Sequence, residues 1–403
     1  MSDKVLLQDI LEFTRDGEWG KEDPFENSRH TRVIRGTDFE DIRIGKVNEL
    51  PHRHVAERFV EYKELKPFDV LLETAGGSKN TPTGRTLLLK PSLFEKVDVP
   101  IVCASFARFL RFDDSKVEPE YLFWHLQYLY RNGVLKQYHV QHTGVARFQF
   151  TTFKENEYLE LPDRETQRNI ASTLSSFDDL IENNTRRIEI LEEMARRIYR
   201  EWFVHFRYPG HEDDELVDSG TELGEIPEGW EVKKLKNFLK FKNGKSPETK
   251  EGVEYPVYGS NGIIGKCNEP GWEDGIIIGR VGAYCGSVEY CEGKFWGSDN
   301  TIVATTREEY DFSLFAYYKL EDLNLRRYAG GSAQPLMTQT VIKDIKIAIP
   351  HSDLLEQFSE QARELWKFKR NLEKKNKKLK GTRDLLLPKL ISGKIDVEEL
   401  NIN

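Results

Sequence analysis

Several residue groups have types and spacings that could do chemistry. Asp274 precedes Glu292-Gly293-Lys294 in the order Asp…Glu-x-Lys, and paired carboxylates with a lysine can hold magnesium at a phosphodiester. Glu-x-Lys is frequent by chance, however, in a chain with 32% charged residues. His52-Arg53-His54 and His139-Val140-Gln141-His142 invite a metal reading, but no cysteine or carboxylate companion stands at a ligand spacing, so they read as surface or DNA-facing histidines. Gly279-Arg-Val-Gly-Ala-Tyr-Cys-Gly286 does not fit GxGxxG and reads as a strand and turn. Gly77 to Gly84 has too many intervening residues for a P-loop, and Arg85 stands where lysine is needed. An Asn/Asp-Pro-Pro-aromatic motif and a GxSxG elbow are both absent. The sequence supports no catalytic residues and no metal site.

The elements that must position any functional residue are better marked. At 403 residues the chain exceeds one ordinary core and implies two domains or more. No apolar run approaches the roughly 20 residues that span a bilayer, and the polar N-terminus has no signal-peptide core. Cys103, Cys267, Cys285 and Cys291 lack CxxC spacing, so a cytoplasmic location is expected. The net charge of −9 argues against indiscriminate coating of DNA, yet phosphate binding needs only a locally positive face. Residues 367–380 are strongly basic and residues 212–231 acidic.

The chain repeats its pattern with a period of 188 residues. Asp69-Val-Leu-Leu-Glu-Thr runs into Ala75-Gly-Gly-Ser, and Gly275-Ile-Ile-Ile-Gly-Arg runs into Val281-Gly-Ala-Tyr-Cys-Gly. The next strands are Val99-Pro-Ile-Val-Cys-Ala and Asn300-Thr-Ile-Val-Ala-Thr. Aromatic-rich helices follow, one with Pro119 in its first turn and one with Asp311 as its cap. Glycine turns at Thr143-Gly144 and Gly330-Gly331-Ser332 lead to short strands closed by Pro162 and Pro350.

After each proline a long helix is predicted, from Arg164 to Phe203 and from Asp353 to Leu387. Ile170, Phe177, Asn184, Leu191 and Ile198 share one heptad position; Leu174, Ile181, Ile188, Ala195 and Trp202 share the other. The second helix has Phe358, Leu365, Leu372, Leu379 and Leu386, interleaved with Leu355, Ala362, Lys369, Asn376 and Arg383. Asn184 at a seam costs stability and fixes register, and Gly381 weakens the second helix. The pattern predicts a mixed α/β (α+β) fold. Two similar globular domains would be separated by two long antiparallel helices, a coiled-coil-like spacer with a pseudo-two-fold internal repeat.

The segment Leu223-Gly-Glu-Ile-Pro-Glu-Gly-Trp230 resembles the opening of a target-recognition domain in the specificity subunits of type I restriction-modification enzymes. Tyr258-Gly-Ser-Asn-Gly-Ile-Ile-Gly265, Ile198-Tyr-Arg-Glu-Trp-Phe203 and Thr382-Arg-Asp-Leu-Leu-Leu-Pro-Lys-Leu-Ile-Ser-Gly393 are similar to further signatures of that family. The first domain lacks the "IPxGW" opening and has Val33-Ile-Arg-Gly-Thr-Asp-Phe instead. The resemblance implies target-recognition domains at 1–162 and 229–350, spacer helices at 163–205 and 351–393, an acidic linker at 206–228 and a tail at 394–403. It also implies that each domain reads half of a bipartite target in double-stranded DNA. The helices would set the gap and dock two methyltransferase subunits, with motor-nuclease subunits completing the complex. This chain would bind no cofactor; S-adenosylmethionine, ATP and magnesium would sit on the partners.

Arg and Lys can pair with guanine, Asn and Gln with adenine, and Ser and Thr with several base edges. Such side chains beside glycine turns are the candidate base readers: Ser78, Lys79, Asn80, Thr83, Arg85, Thr143, Arg147 and Gln149 in the first domain, and Ser260, Asn261, Arg280, Ser332 and Gln334 in the second. Two other readings are a self-contained magnesium nuclease and a coiled-coil scaffold with no nucleic-acid role.

Overall fold

A computed structural model of the chain describes residues 3–47, 50–77, 81–141, 144–247, 252–307, 312–331 and 335–399. The chain divides into two compact units, Met1–Ile188 with Asn371–Asn403, and Glu189–Arg370.

The first unit is built on a four-stranded antiparallel sheet ordered Leu11–Asp16, Ala107–Phe112, Val70–Glu73, Thr86–Leu88. Val70–Glu73 lies inside the sheet and is buried along its whole length, so Val70-Leu71-Leu72 is an unbroken apolar run instead of an alternation, followed by the buried Glu73. The helix Pro119–Arg131 packs on this sheet, starting on proline where no N–H is required and released by Gly133 at φ 75°. A second sheet has Ser28–Ile34 between antiparallel His52–Ala56 and parallel Ile101–Cys103. Asp3–Leu6 pairs with Tyr158–Leu161, closing the unit where the long helix begins.

The second unit repeats this plan in one six-stranded sheet, ordered Leu239–Asn243, Thr301–Thr306, Trp272–Gly279, Val288–Gly297, Tyr255–Gly259, Gly262–Cys267. Ser313–Asp322 is its covering helix, and Glu231–Lys234 pairs with Lys346–Ile349. Asp311, the expected cap of that helix, lies outside the described residues.

One expected correspondence is corrected. Ile101–Cys103 pairs in parallel with Ser28–Ile34, as the end of Val288–Gly297 does with Tyr255–Gly259. The counterpart of Thr301–Thr306 is instead Ala107–Phe112, which lies between Leu11–Asp16 and Val70–Glu73 as Thr301–Thr306 lies between Leu239–Asn243 and Trp272–Gly279. The 188-residue offset holds at Pro162/Pro350 and varies inside the domains, where connecting loops differ in length.

The long helices are Arg164–Phe203 and Ser352–Ile391, 40 residues each, or about 60 Å at 1.5 Å per residue. The second runs through Gly381 and ends one turn later than expected, with Pro388 in its last turn, where a missing N–H breaks little of the ladder. In the first unit Asn184 donates to Asn376 at 2.8 Å, and Asp178 pairs with Arg383. The partner numbers descend as the first helix ascends, so the helices run antiparallel there. In the second unit Glu192 meets Lys369 at 2.6 Å, and Tyr199 and Trp202 pack on Phe358.

The two helix-to-domain joints differ in chemistry. In the first unit Asp178 also accepts from Arg43 Nε at 2.8 Å, and both side chains are at most one-tenth exposed. Burial pulls the Arg43 guanidinium below its ordinary range, and Asp178 acts to hold it up. At the 188-residue offset Asp178 becomes Trp366 and Arg383 becomes the buried Ala195. Trp366 Nε1 donates to Tyr318 at 3.0 Å and its ring meets Tyr290 and Tyr317 edge-on. One joint is ionic and the other aromatic.

Candidate nucleic-acid interface

A shared hydrogen-bonded frame aligns the two units residue by residue. The Phe106 carbonyl accepts the Thr74 N–H at 2.8 Å, and the Thr74 carbonyl accepts the Phe148 N–H at 2.8 Å. In the second unit the Asn300 carbonyl accepts the Arg280 N–H at 2.9 Å, and the Arg280 carbonyl accepts the Met337 N–H at 2.8 Å. Behind each corner, Ala107 N–H bonds Ala104 at 2.8 Å and Thr301 N–H bonds Ser298 at 2.9 Å. Glu73 faces Ala107 in its ladder as Gly279 faces Thr301. Gly17 donates to Ala107 and Gly244 to Thr301, each at 2.9 Å. A Cβ on Gly17 would lie 2.0 Å from the Cys103 carbonyl oxygen, and one on Gly244 2.0 Å from that of Ser298, so both corners require glycine.

The frame is common; the side chains it presents are not. Thr74 corresponds to Arg280, Phe106 to Asn300, and Arg147 (paired with Ala75) to Leu336 (paired with Val281). Gly36 corresponds to Ser260, because Arg85 Nη2 donates to the Gly36 carbonyl at 3.1 Å where Ser287 Oγ donates to that of Ser260 at 2.7 Å. Gln149 and Thr338 both precede the short helices Phe150–Asn156 and Gln339–Asp344 as their caps.

In the first unit these positions border two adjoining grooves. One is lined by Trp19, Arg35, Thr37, Gly76 and Gly77, the other by Asp16, Arg108, Arg147, Gln149 and Thr151; Ala75, Ser105 and Phe106 belong to both. Arg147 and Gln149 are exposed, in positions open to a ligand. In the second unit Ser260 and exposed Asn261 form the turn after Tyr255–Gly259, with Ser260 Oγ donating to the Asn300 carbonyl at 2.7 Å. Arg280 is half-buried, and its Nε has no hydrogen-bond partner among the described residues. Exposed Arg326 donates to the Ala283 carbonyl at 2.9 Å, and exposed Arg327 lies over the Tyr328 ring.

Two sequence candidates turn inward. Thr83 is fully buried, and its N–H and hydroxyl both meet His139 Nδ1 at 3.0 Å. Arg85 grips buried Glu73 with two nitrogens at 2.9 and 2.7 Å, and these bonds raise its pKa. They hold the frame in place of reaching a base. Ser78, Lys79, Asn80, Thr143, Ser332 and Gln334 lie outside the described residues. Sequence reasoning missed Phe106, Asn300 and Thr74, which emerge only once Ala107–Phe112 is matched with Thr301–Thr306.

The strand pair brings Asp274 alongside Glu292-Gly293-Lys294, but both carboxylates are engaged by other groups. Asp274 sits in a strand irregularity at φ 44° and accepts from the Gly293 N–H, while Arg370 takes the Glu292 carboxylate. His54 and His52 lie beside His30, with His52 Nδ1 2.9 Å from His30 Nε2; His142 is outside the described residues.

The family profile of the type I restriction modification DNA specificity domain matches residues 2–193 and 227–380. The chain belongs to this family. The MjaIX specificity subunit of a type I restriction enzyme from Methanocaldococcus jannaschii is 30% identical over 304 residues, 68% of this chain and 70% of that protein. A putative MjaX specificity subunit from the same organism is 23% identical, covering 97% of this chain and 93% of its own. A crystal structure of the S subunit from M. genitalium shares the fold, with a TM-score of 0.56 at 18% identity and coverage of 97% and 96%. A type I specificity chain recognises DNA and leaves catalysis to other subunits of the complex. No helix of the described residues is long and apolar enough to cross a membrane.

Proposed function

We propose that each unit reads one half of a bipartite DNA target, and that the long helices set the unread gap between the halves. The observation that carries this reading is the common frame with different chemistry at the same positions. Phe106 against Asn300, Thr74 against Arg280 and Arg147 against Leu336 are what two readers of different sequences require, since base edges are distinguished by donors, acceptors and methyl groups. Arg147, Gln149, Asn261 and Arg280 are the base-reading candidates, and Arg326 and Arg327 fit phosphate contacts that position the duplex.

Two methyltransferase subunits would dock on the helices, where Leu180, Ile190, Met194, Phe368 and Leu385 are exposed apolar side chains; motor-nuclease subunits would complete the complex. S-adenosylmethionine belongs to the methyltransferases, and ATP with magnesium to the motor-nucleases. Reconstitution tests the reading. The chain with S-adenosylmethionine alone should methylate nothing, and adding its cognate methyltransferase should give methylation at one split target. DNA cleavage by the chain alone with magnesium, or no site-specific methylation by the complex, would overturn it.

A further inference from the structure

We infer that residues 106 and 300 are one and the same specificity position in the two readers, Phe106 selecting thymine and Asn300 selecting adenine. The inference rests on the DNA-reading role proposed above. Both residues occupy the corner between two strands, fixed from behind by matching bonds: their carbonyls accept from Thr74 and Arg280, and the residues after them, Ala107 and Thr301, are tied to Gly17 and Gly244. The backbone is therefore set by the frame, and the side chain is left free to vary.

Each side chain is presented to solvent. Phe106 is 58% exposed and stands on the ridge shared by both grooves of the first unit. Asn300 is exposed beside Ser260, whose hydroxyl engages the Asn300 carbonyl and leaves its amide available. An isolated surface phenylalanine needs no explanation. This one is held on a ridge flanked by Arg108, Arg147 and Gln149, where a base edge would cover it. An aromatic side chain there offers only apolar contact, which in the major groove fits the thymine C5 methyl. An asparagine amide can donate and accept at once, which fits adenine N7 and N6.

The test is selection from randomised DNA by the full complex carrying Phe106→Asn, Phe106→Leu or Asn300→Phe. Phe106→Asn should convert a thymine preference at one base pair of the first half-site into an adenine preference, with discrimination of about tenfold or more, leaving the other half-site unchanged. Phe106→Leu should keep the thymine preference in weakened form. Asn300→Phe should produce the reciprocal change at one base pair of the second half-site. Should Phe106→Asn fail to fold, the other two variants still decide. A uniform loss of binding across sequences, or an unaltered preference, would overturn the inference. If the unsubstituted complex selects no sequence, the DNA-reading role itself fails, a separate outcome.

Discussion

Arg280 and Thr74 hold one place in two copies of a frame, and of the two only arginine can pair with guanine through two nitrogens. Its Nε is buried and has no hydrogen-bond partner among the described residues, so that nitrogen is not engaged by an internal bond. Arg280→Ala should weaken binding by about 1–3 kcal/mol at one base pair and relax specificity there; quantitative binding to single-base variants of the target checks it. A uniform loss with a shallower salt dependence would make Arg280 a phosphate contact. His125 belongs to stability. It is fully enclosed beside Tyr121, and burial pushes its pKa from 6.5 down to about 4. Below pH 6.5 the unfolded chain takes a proton that the folded one refuses, so stability falls between pH 6.5 and about 4, by roughly 3 kcal/mol at most. Above pH 6.5 this group has no effect. His125→Phe should flatten that part of the stability–pH curve, measured by chemical unfolding. Such residues were the hardest to read in advance. Thr83 and Arg85 look like surface readers beside glycines, and only the fold reveals that His139 and Glu73 claim them.

The long helices were legible because their signal is local: heptad spacing and the lack of breakers fix the first at Arg164–Phe203. The second extends past the expected Leu387 because Pro388 can be held in a last turn. Strand correspondence was not legible. Val99–Ala104 and Asn300–Thr305 carry similar apolar runs, and pairing partners, set by distant residues, decide which strand is which. The ionic joint was equally hidden, since Arg43 lies 135 residues from Asp178. Asp178→Ala would leave Arg43 buried without its carboxylate and Arg383 with Asp384 alone, and a loss of about 3–5 kcal/mol is expected. Replacing the set together, with Arg43→Met, Asp178→Leu and Arg383→Leu, should recover most of it. Unfolding midpoints of both variants check this; equal destabilisation by the triple replacement would show that the charges themselves stabilise the joint.

The duplication gives the molecule two candidate recognition surfaces of different chemistry on chain segments joined by two 40-residue helices. A helical spacer of this kind should act as a ruler. Inserting about four residues, one helical turn, after Ile188 should change the tolerated gap and leave both half-sites as they were, read by methylation of a library of spaced targets. A change in the half-sites would defeat the ruler. The most direct measurement is genome-wide mapping of methylated sites in the host with and without this chain. Sites dependent on the chain should share two short fixed blocks separated by a constant-length stretch of any sequence. A single uninterrupted motif, or a methylation pattern unchanged by its removal, would contradict the assignment of one reader to each unit.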